Sequence, residues 1–223
     1  MPYNMNFLRY PKEDHFDDVL NGAKESFAAT GRPGNITIPV SGVNVTQQGP
    51  AIVTLLGGFE SLDEIDQLQE SVISNPEAWS RINRIASMCH HANWVVSEIL
   101  SGAPAIPANY EPKVVSRIFL SAKPGLTQDL ISGLMEAREN TEADVKPIIS
   151  RPITGPIGMV RISQIATGLQ ELEELSQTTR EAAVKEGVPD LVSQSPIRSV
   201  GRIVHSNMPV SYTHLTLPTT PYV

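Results

Sequence analysis

Four short segments from the first half of the chain recur in the second half, and this repetition strongly constrains the fold. DVLNGAKE at residues 18–25, for example, resembles DLISGLME at residues 129–136. The four pairs are residues 18–25 with 129–136, 49–50 with 155–156, 61–68 with 168–175, and 97–100 with 201–204. Because the pairs keep the same order, the chain is predicted to contain two copies of one structural unit.

The segment SGAPAIPANYEPK, residues 101–113, separates the two copies. Its three prolines and its lack of a regular apolar spacing are typical of a linker. The predicted organisation is a first unit at residues 1–100, this linker, a second unit at residues 114–208, and a tail at residues 209–223.

The tail, PVSYTHLTLPTTPYV, contains no charged side chain. Its stretch VSYTHLTLPT is the translation of a transposase adapter used in sequencing libraries, and the residues on either side fit the flanking adapter bases. The tail is therefore interpreted as adapter read-through without information on fold or function. Its deletion is expected to leave the melting temperature unchanged.

Each copy is predicted to run strand, helix, strand, strand, helix, strand. In the first copy, apolar residues at helical spacing predict a helix over residues 16–29. Ser61 with Glu64 three residues later forms a capping box, and Asn75 followed by Pro76 begins another helix. In the second copy, Thr127 is the expected cap of the first helix.

The order β-α-β-β-α-β is that of a ferredoxin-like unit, whose antiparallel sheet carries helices on one face only. Two units can bury their uncovered faces against each other. The predicted fold is therefore α+β, with two tandem ferredoxin-like units whose antiparallel sheets pack into an α/β barrel. The linker is long enough to cross a small domain, so we expect the barrel to close within one chain. Further oligomerisation stays open.

Residues 5–206 resemble the dimeric α/β-barrel superfamily, as a tandem fusion of two units. Within them, GPAIVTLLGGFESLDEIDQLQESVISNPEAWSRI resembles the NIPSNAP-like families, through a strand, an SL that opens a helix, and an NPE-W turn. The superfamily includes cofactor-free monooxygenases, isomerases, haem enzymes, regulatory ligand-binding domains and proteins without a known reaction. The resemblance therefore implies a fold but not an activity.

Composition excludes several classes of function. The net charge of −7 disfavours nucleic acid as a partner, since phosphates attract clustered Lys and Arg. A single cysteine cannot form an intrachain disulfide. No apolar run is long enough to span a membrane, and the first residues lack the apolar core of a signal peptide. A cytoplasmic protein is expected.

Metal and cofactor sites are disfavoured by the spacing of the ligand residues. Cys89-His90-His91 is a candidate metal cluster, but adjacent residues of a strand point to opposite faces, and no second cluster completes a set of four ligands. Haem needs an axial ligand, and the histidines outside the tail are only His15, His90, His91 and His205. We expect no metal and no cofactor.

Five residues are candidate ligand contacts. Tyr10 and His15 bracket the end of the first strand. Trp94 shares a face with Glu98 by the period of two, and Glu98 matches Arg202 in the last strand of the second copy. If that face lines the barrel, the two charges meet or face a ligand. The alternatives are a structural ion pair or charges exposed at a strand edge.

Three functions remain open. The leading hypothesis is capture of a small, largely apolar molecule in the barrel or between sheet and helices. The second is a cofactor-independent monooxygenase or isomerase. The third is an interaction module without catalysis, which would present an exposed apolar patch.

Overall fold

The computed structural model describes residues 2–40, 51–102, 106–107 and 109–207. The predicted tail at 209–223 lies outside the described residues, as do residues 41–50 and part of the linker. The elements of the first half are β1 (Tyr3–Pro11), α1 (Phe16–Thr30), β2 (Gly34–Pro39), β3 (Ile52–Phe59), α2 (Leu62–Ile73), α3 (Pro76–Ser87) and β4 (Cys89–Ile99). Those of the second half are β5 (Val114–Ser121), α4 (Thr127–Glu139), β6 (Ile148–Pro152), β7 (Met159–Ala166), α5 (Leu169–Lys185), α6 (Val188–Leu191) and β8 (Ile197–Asn207).

The strands form a closed antiparallel barrel in the order β1-β3-β2-β8-β5-β7-β6-β4. The order repeats after four strands, because β1, β3, β2 and β4 of the first half stand where β5, β7, β6 and β8 stand in the second. The prediction of an α+β fold with two ferredoxin-like sheets closed into a barrel within one chain is confirmed. No helix of the described residues is long and apolar enough to cross a membrane.

The residue register supports the equivalence of the two halves. Tyr3 on β1 pairs with Glu98 on β4, and Val114 on β5 pairs with Arg202 on β8. Val114 follows Tyr3 by the same number of residues as Phe119 follows Leu8 in the sequence alignment of the repeats. Glu98 and Arg202 therefore occupy equivalent places, as the sequence predicted.

The helix starts follow the predicted capping chemistry with one exception. Oγ of Ser61 accepts a hydrogen bond from the backbone N–H of Glu64 at 3.3 Å, and Oδ1 of Asn75 accepts from two backbone N–H groups at 3.1 Å. The expected cap at Thr127 is wrong, because the carbonyl of Leu126 already accepts the N–H of Leu130. Thr127 is therefore the first residue of α4 rather than its cap.

The apolar cores lie between the barrel wall and the helices, outside the barrel interior. In the first half, Met5, Ile36 and Phe59 of the strands pack with Val19 and Phe27 of α1, all at most 2% exposed. A similar core in the second half joins α4 to its strands, with Leu130, Leu134, Ile149 and Val160 as buried members. Each such side chain contributes about 1.5–3 kcal/mol to folding, so the helices cover the wall and leave the interior face free for other residues.

Candidate ligand cavity

The interior of the barrel is lined by the strand positions that alternate with the core positions. Along β1, Asn6, Leu8 and Tyr10 line the interior, whereas Met5 and Phe7 pack toward the outside. The period of two of a β-strand produces this division. The same sequence of strand residues therefore builds the core on one face and a cavity on the other.

A cavity of about 630 Å³, to which all eight strands contribute, occupies the interior and also reaches Leu169, Leu172 and Glu173 of α5. Its walls are largely apolar, with Leu8, Val53, Val95, Phe119 and Met159 among the lining residues. A volume of this size is within the range of sites for small organic molecules.

One end of the cavity lies where β1, β2, β5 and β6 end and β3, β4, β7 and β8 begin, and we call this end the mouth. Pro39, Ala51 and Ile197 line the cavity there, and Ile197 is 57% exposed. At the opposite end, Val115 and Ile165 form a buried cluster with Val145, and Tyr110 of the linker packs against it. Among the described residues, this opposite end of the barrel is therefore filled.

Two arginines, Arg117 on β5 and Arg161 on β7, line this cavity while being only 5% and 7% exposed. Burial, together with the neighbouring positive charge of Arg161, lowers the pKa of Arg117 to about 9. Burial lowers the pKa of Arg161 to about 10. Both guanidinium groups remain charged at neutral pH, so the cavity has a positive interior.

Gly201 on β8 lies between the strands that carry Thr37 and Arg117. A Cβ atom at this glycine would stand 3.0 Å from Cβ and 3.1 Å from Oγ1 of Thr37. The missing side chain leaves space beside Thr37, to which Arg117 donates a hydrogen bond of 3.2 Å.

Of the five residues proposed from the sequence, Tyr10 is the one that lines the cavity. Its ring lies 6.0 Å from the ring of His91 on β4, centroid to centroid. Tyr10 therefore lies at the mouth, and its contact with a ligand stays a prediction.

The other four residues do not line the cavity. His15 is exposed and lies 3.4 Å from Asp18 on its own helix. Trp94 is 46% exposed on the outside of the barrel, where it packs against Phe7. Arg202 is exposed.

Glu98 is buried on the same outer side, where Oε2 accepts a hydrogen bond of 2.6 Å from Nε of Arg151. Val95 and Ser97, which alternate with Trp94 and Glu98 along β4, are the residues that line the cavity, so Glu98 takes part in an ion pair, which was the alternative interpretation. The partner of Glu98 is Arg151 on the adjacent β6 and not Arg202.

The Cys89-His90-His91 cluster lies at the start of β4. Cys89 is buried, which raises the pKa of its thiol, and its Sγ lies 3.4 Å from the carbonyl of Ile85. His90 and His91 are exposed. Within the described residues, no group of three or more His, Cys, Asp or Glu side chains could hold a metal ion, and no histidine lines the cavity to offer haem an axial ligand.

Sequence reasoning missed Arg117 and Arg161. The signal was present, because each is a charged residue inside an otherwise apolar strand, SRIFLS and MVRIS. By the period of two, Arg117 shares a face with Phe119, and Arg161 shares one with Met159. A lone arginine on such a face indicates either an ion pair or a ligand.

Comparison with solved structures places this architecture in a known class. An anthrone oxidase-like protein has 12% identical residues and a TM-score of 0.63, with 92% of each chain covered. A candidate monooxygenase from Fusobacterium nucleatum has 8% identity and a TM-score of 0.65, covering 93% of this chain and 94% of the other. A heme-binding protein from Thermus thermophilus has 13% identity and a TM-score of 0.52, covering 92% and 91%.

The chain therefore shares the α/β-barrel fold of these structures, and its own barrel closes within one polypeptide. Identities this low establish the fold alone. No protein-family model matches the sequence, and no curated protein sequence matches it.

Proposed function

We propose that this is a cytoplasmic protein that binds a small, largely apolar molecule inside its barrel. The observation that supports this function is the cavity of about 630 Å³, whose apolar wall includes Leu8, Val53, Phe119 and Met159. An apolar surface of this kind gains free energy when a ligand replaces water on it. The likeness of the first unit to the NIPSNAP-like families belongs to the same proposal.

The proposal ranks binding above catalysis because of the titratable groups at the cavity. Among the described residues that line the cavity, Glu173 is the only one with a carboxylate. This carboxylate accepts a hydrogen bond of 2.9 Å from Arg198. A cofactor-independent oxygenase or isomerase needs a group that takes a proton from its substrate. Glu173 is paired at the surface, so the enzyme alternative is the second candidate.

Binding can be tested with phenylnaphthylamine, a neutral aromatic amine whose fluorescence rises in apolar surroundings. The unaltered protein should bind the probe, and Val53→Phe, which fills the cavity wall, should weaken binding by about tenfold or more. Val184→Phe, the same substitution at a site on α5 that is 58% exposed, should leave binding unchanged. Equal binding by all three proteins would show that the cavity is not the site.

A further inference from the structure

Arg117 has unused hydrogen-bonding capacity inside the barrel. Its Nη1 donates to Oγ1 of Thr37 at 3.2 Å, whereas its Nη2 is buried and has no partner. A guanidinium carries five N–H donors, and a buried donor without an acceptor costs free energy. The side chain is therefore held in place at one nitrogen and free to bind at another.

Arg161 is held in a similar way by neutral groups. Its Nε donates to Oγ of Ser150 at 3.1 Å, and its Nη2 donates to Oδ1 of Asn4 at 3.3 Å. Neither contact supplies a negative charge. These bonds fix the direction of the guanidinium but leave its charge uncompensated.

No side-chain carboxylate balances the two arginines. The ion pairs of the described residues do not include Arg117 or Arg161. The segments outside the described residues contain neither Asp nor Glu. Two like charges thus lie buried beside one cavity, which is costly unless an anion joins them.

The position of the charges along the strands gives the cavity a direction. Arg117 lies two residues further from the mouth than Phe119 on β5, and Arg161 lies two residues further in than Met159 on β7. Leu8 and Val53 face each other across neighbouring strands nearer the mouth. An apolar body at the mouth would therefore place its end group among the arginines.

We infer that the barrel selects an apolar molecule with an oxyanion head group, which Arg117 and Arg161 bind in the interior. The inference rests on the proposed function, because it specifies the ligand of the same cavity. The planar guanidinium matches carboxylate, sulfonate and phosphate oxygens, which accept two of its N–H groups together. The ligand supplies the negative charge for Arg117 and Arg161, because the carboxylate that lines the cavity, Glu173, is paired with Arg198.

The matched pair of probes is anilinonaphthalene sulfonate and phenylnaphthylamine, which share one ring system and differ in the sulfonate. The full-length protein should bind the sulfonate at least about tenfold more tightly than the neutral probe, a difference of about 1.4 kcal/mol. This comparison uses the unaltered protein, so it does not depend on whether a variant folds. Val53→Phe should weaken binding of both probes, which separates the cavity from surface sites.

A second test of the same inference substitutes the two arginines. Arg117→Met with Arg161→Met should reduce sulfonate affinity at least about tenfold and leave the affinity for the neutral probe equal or higher. Arg202→Met, which removes an exposed arginine from β8, should change neither affinity.

The outcomes separate the two proposals. Equal affinity for both probes in the unaltered protein, unaffected by the arginine substitutions, would overturn the oxyanion site while leaving apolar binding intact. Failure of the neutral probe to bind, with sulfonate binding that still requires the arginines, would overturn the apolar proposal and support the anion site. Sulfonate binding that survives both the arginine and the Val53→Phe substitutions would place it on the surface and overturn the inference.

Discussion

Arg117 on β5 donates a hydrogen bond of 3.2 Å to Oγ1 of Thr37 on β2, across the intervening strand β8. The two residues belong to different halves of the chain. Thr37, in the first half of the chain, thus orients the charged side chain of Arg117, which lies in the second half. The barrel interior is asymmetric in this respect, because the residue equivalent to Arg117 in the register of the first half is Asn6.

Arg117→Met should stabilise the protein when no ligand is bound. Removal of a buried, uncompensated charge is expected to raise the free energy of unfolding by about 1–3 kcal/mol. Thr37 keeps a polar partner, because its Oγ1 also donates to the carbonyl of Val53 at 3.4 Å. Denaturant unfolding of protein freed of bound small molecules measures the change. Arg202→Met serves as the control, with an effect within about 0.5 kcal/mol, and a clear loss of stability in Arg117→Met would contradict an uncompensated charge.

Gly201→Val should disturb the contact between Thr37 and Arg117. The new side chain would displace Thr37, whose Cβ lies 3.0 Å from the position of the added Cβ atom. Overpacking of this kind costs about 1–3 kcal/mol of stability. We expect the substitution to reduce the affinity for anilinonaphthalene sulfonate more than the affinity for the neutral probe. Gly168→Val is the matched control, because no atom lies within 4 Å of a Cβ added there. Equal effects of the two substitutions on sulfonate binding would argue against the role of Gly201.

The Glu98–Arg151 pair should respond differently to removal of either partner. Glu98 is 4% exposed, whereas the side chain of Arg151 is 48% exposed. Arg151→Ala leaves a buried carboxylate without its partner and should cost about 3 kcal/mol or more. Glu98→Gln leaves a guanidinium that water can reach, so its cost should be nearer 1 kcal/mol. Thermal unfolding of the two variants checks this order, and a larger loss for Glu98→Gln would refute it.

Stability below neutral pH should depend on Glu171 of α5. Burial acts to raise the pKa of Glu171, but hydrogen bonds from Thr167 and Tyr110 outweigh it, so the pKa is lowered. A carboxylate with a lowered pKa stabilises the folded state above its ordinary pKa and loses this contribution as the pH falls through the folded value. Glu171→Gln should therefore destabilise by about 1 kcal/mol or less at pH near 7, since solvent screens the group, and by nothing at pH near 2. Unfolding at both pH values tests this, and a deficit that persists in acid would contradict it.

The sequence could predict the fold because its signals are local and repeated. Ser61, Asn75 and Pro76 specify helix starts through their own hydrogen bonds and backbone geometry, and all three do so in the structure. The repeat then restricted the arrangement of the strands. Local signals did not predict the start of α4. The turn before Thr127 depends on a backbone hydrogen bond from the N–H of Leu126 to the carbonyl of Lys123, and no side chain in the sequence indicates this bond.

The site was harder to predict because its residues depend on which face of each strand points inward. Glu98 was chosen because it matches Arg202 in the repeat, but such a match does not show which face of the strand points inward, and one residue of shift exchanges the inner face for the outer. Arg117 and Arg161 come from the neighbouring strands β5 and β7, and their proximity exists only once these two strands have paired in register. Tyr10 could be identified because it lies at the end of a strand, and strand ends can be recognised in the sequence.

Most of the strand pairings described above join strands of the same half, whereas β2–β8 and β4–β6 join one half to the other. The pairing of β4 with β6 is short and consists of Ser97 with Pro152, Glu98 with Arg151, and Ile99 with Ser150. Pairings between strands distant in sequence form slowly, because loop entropy must be lost before they are gained. Each half can thus assemble from its own neighbouring strands, and the two pairings between the halves are expected to form last. We call these two pairings, β2–β8 and β4–β6, the seams of the barrel. The short seam is where backbone amides should exchange with solvent without unfolding of either half.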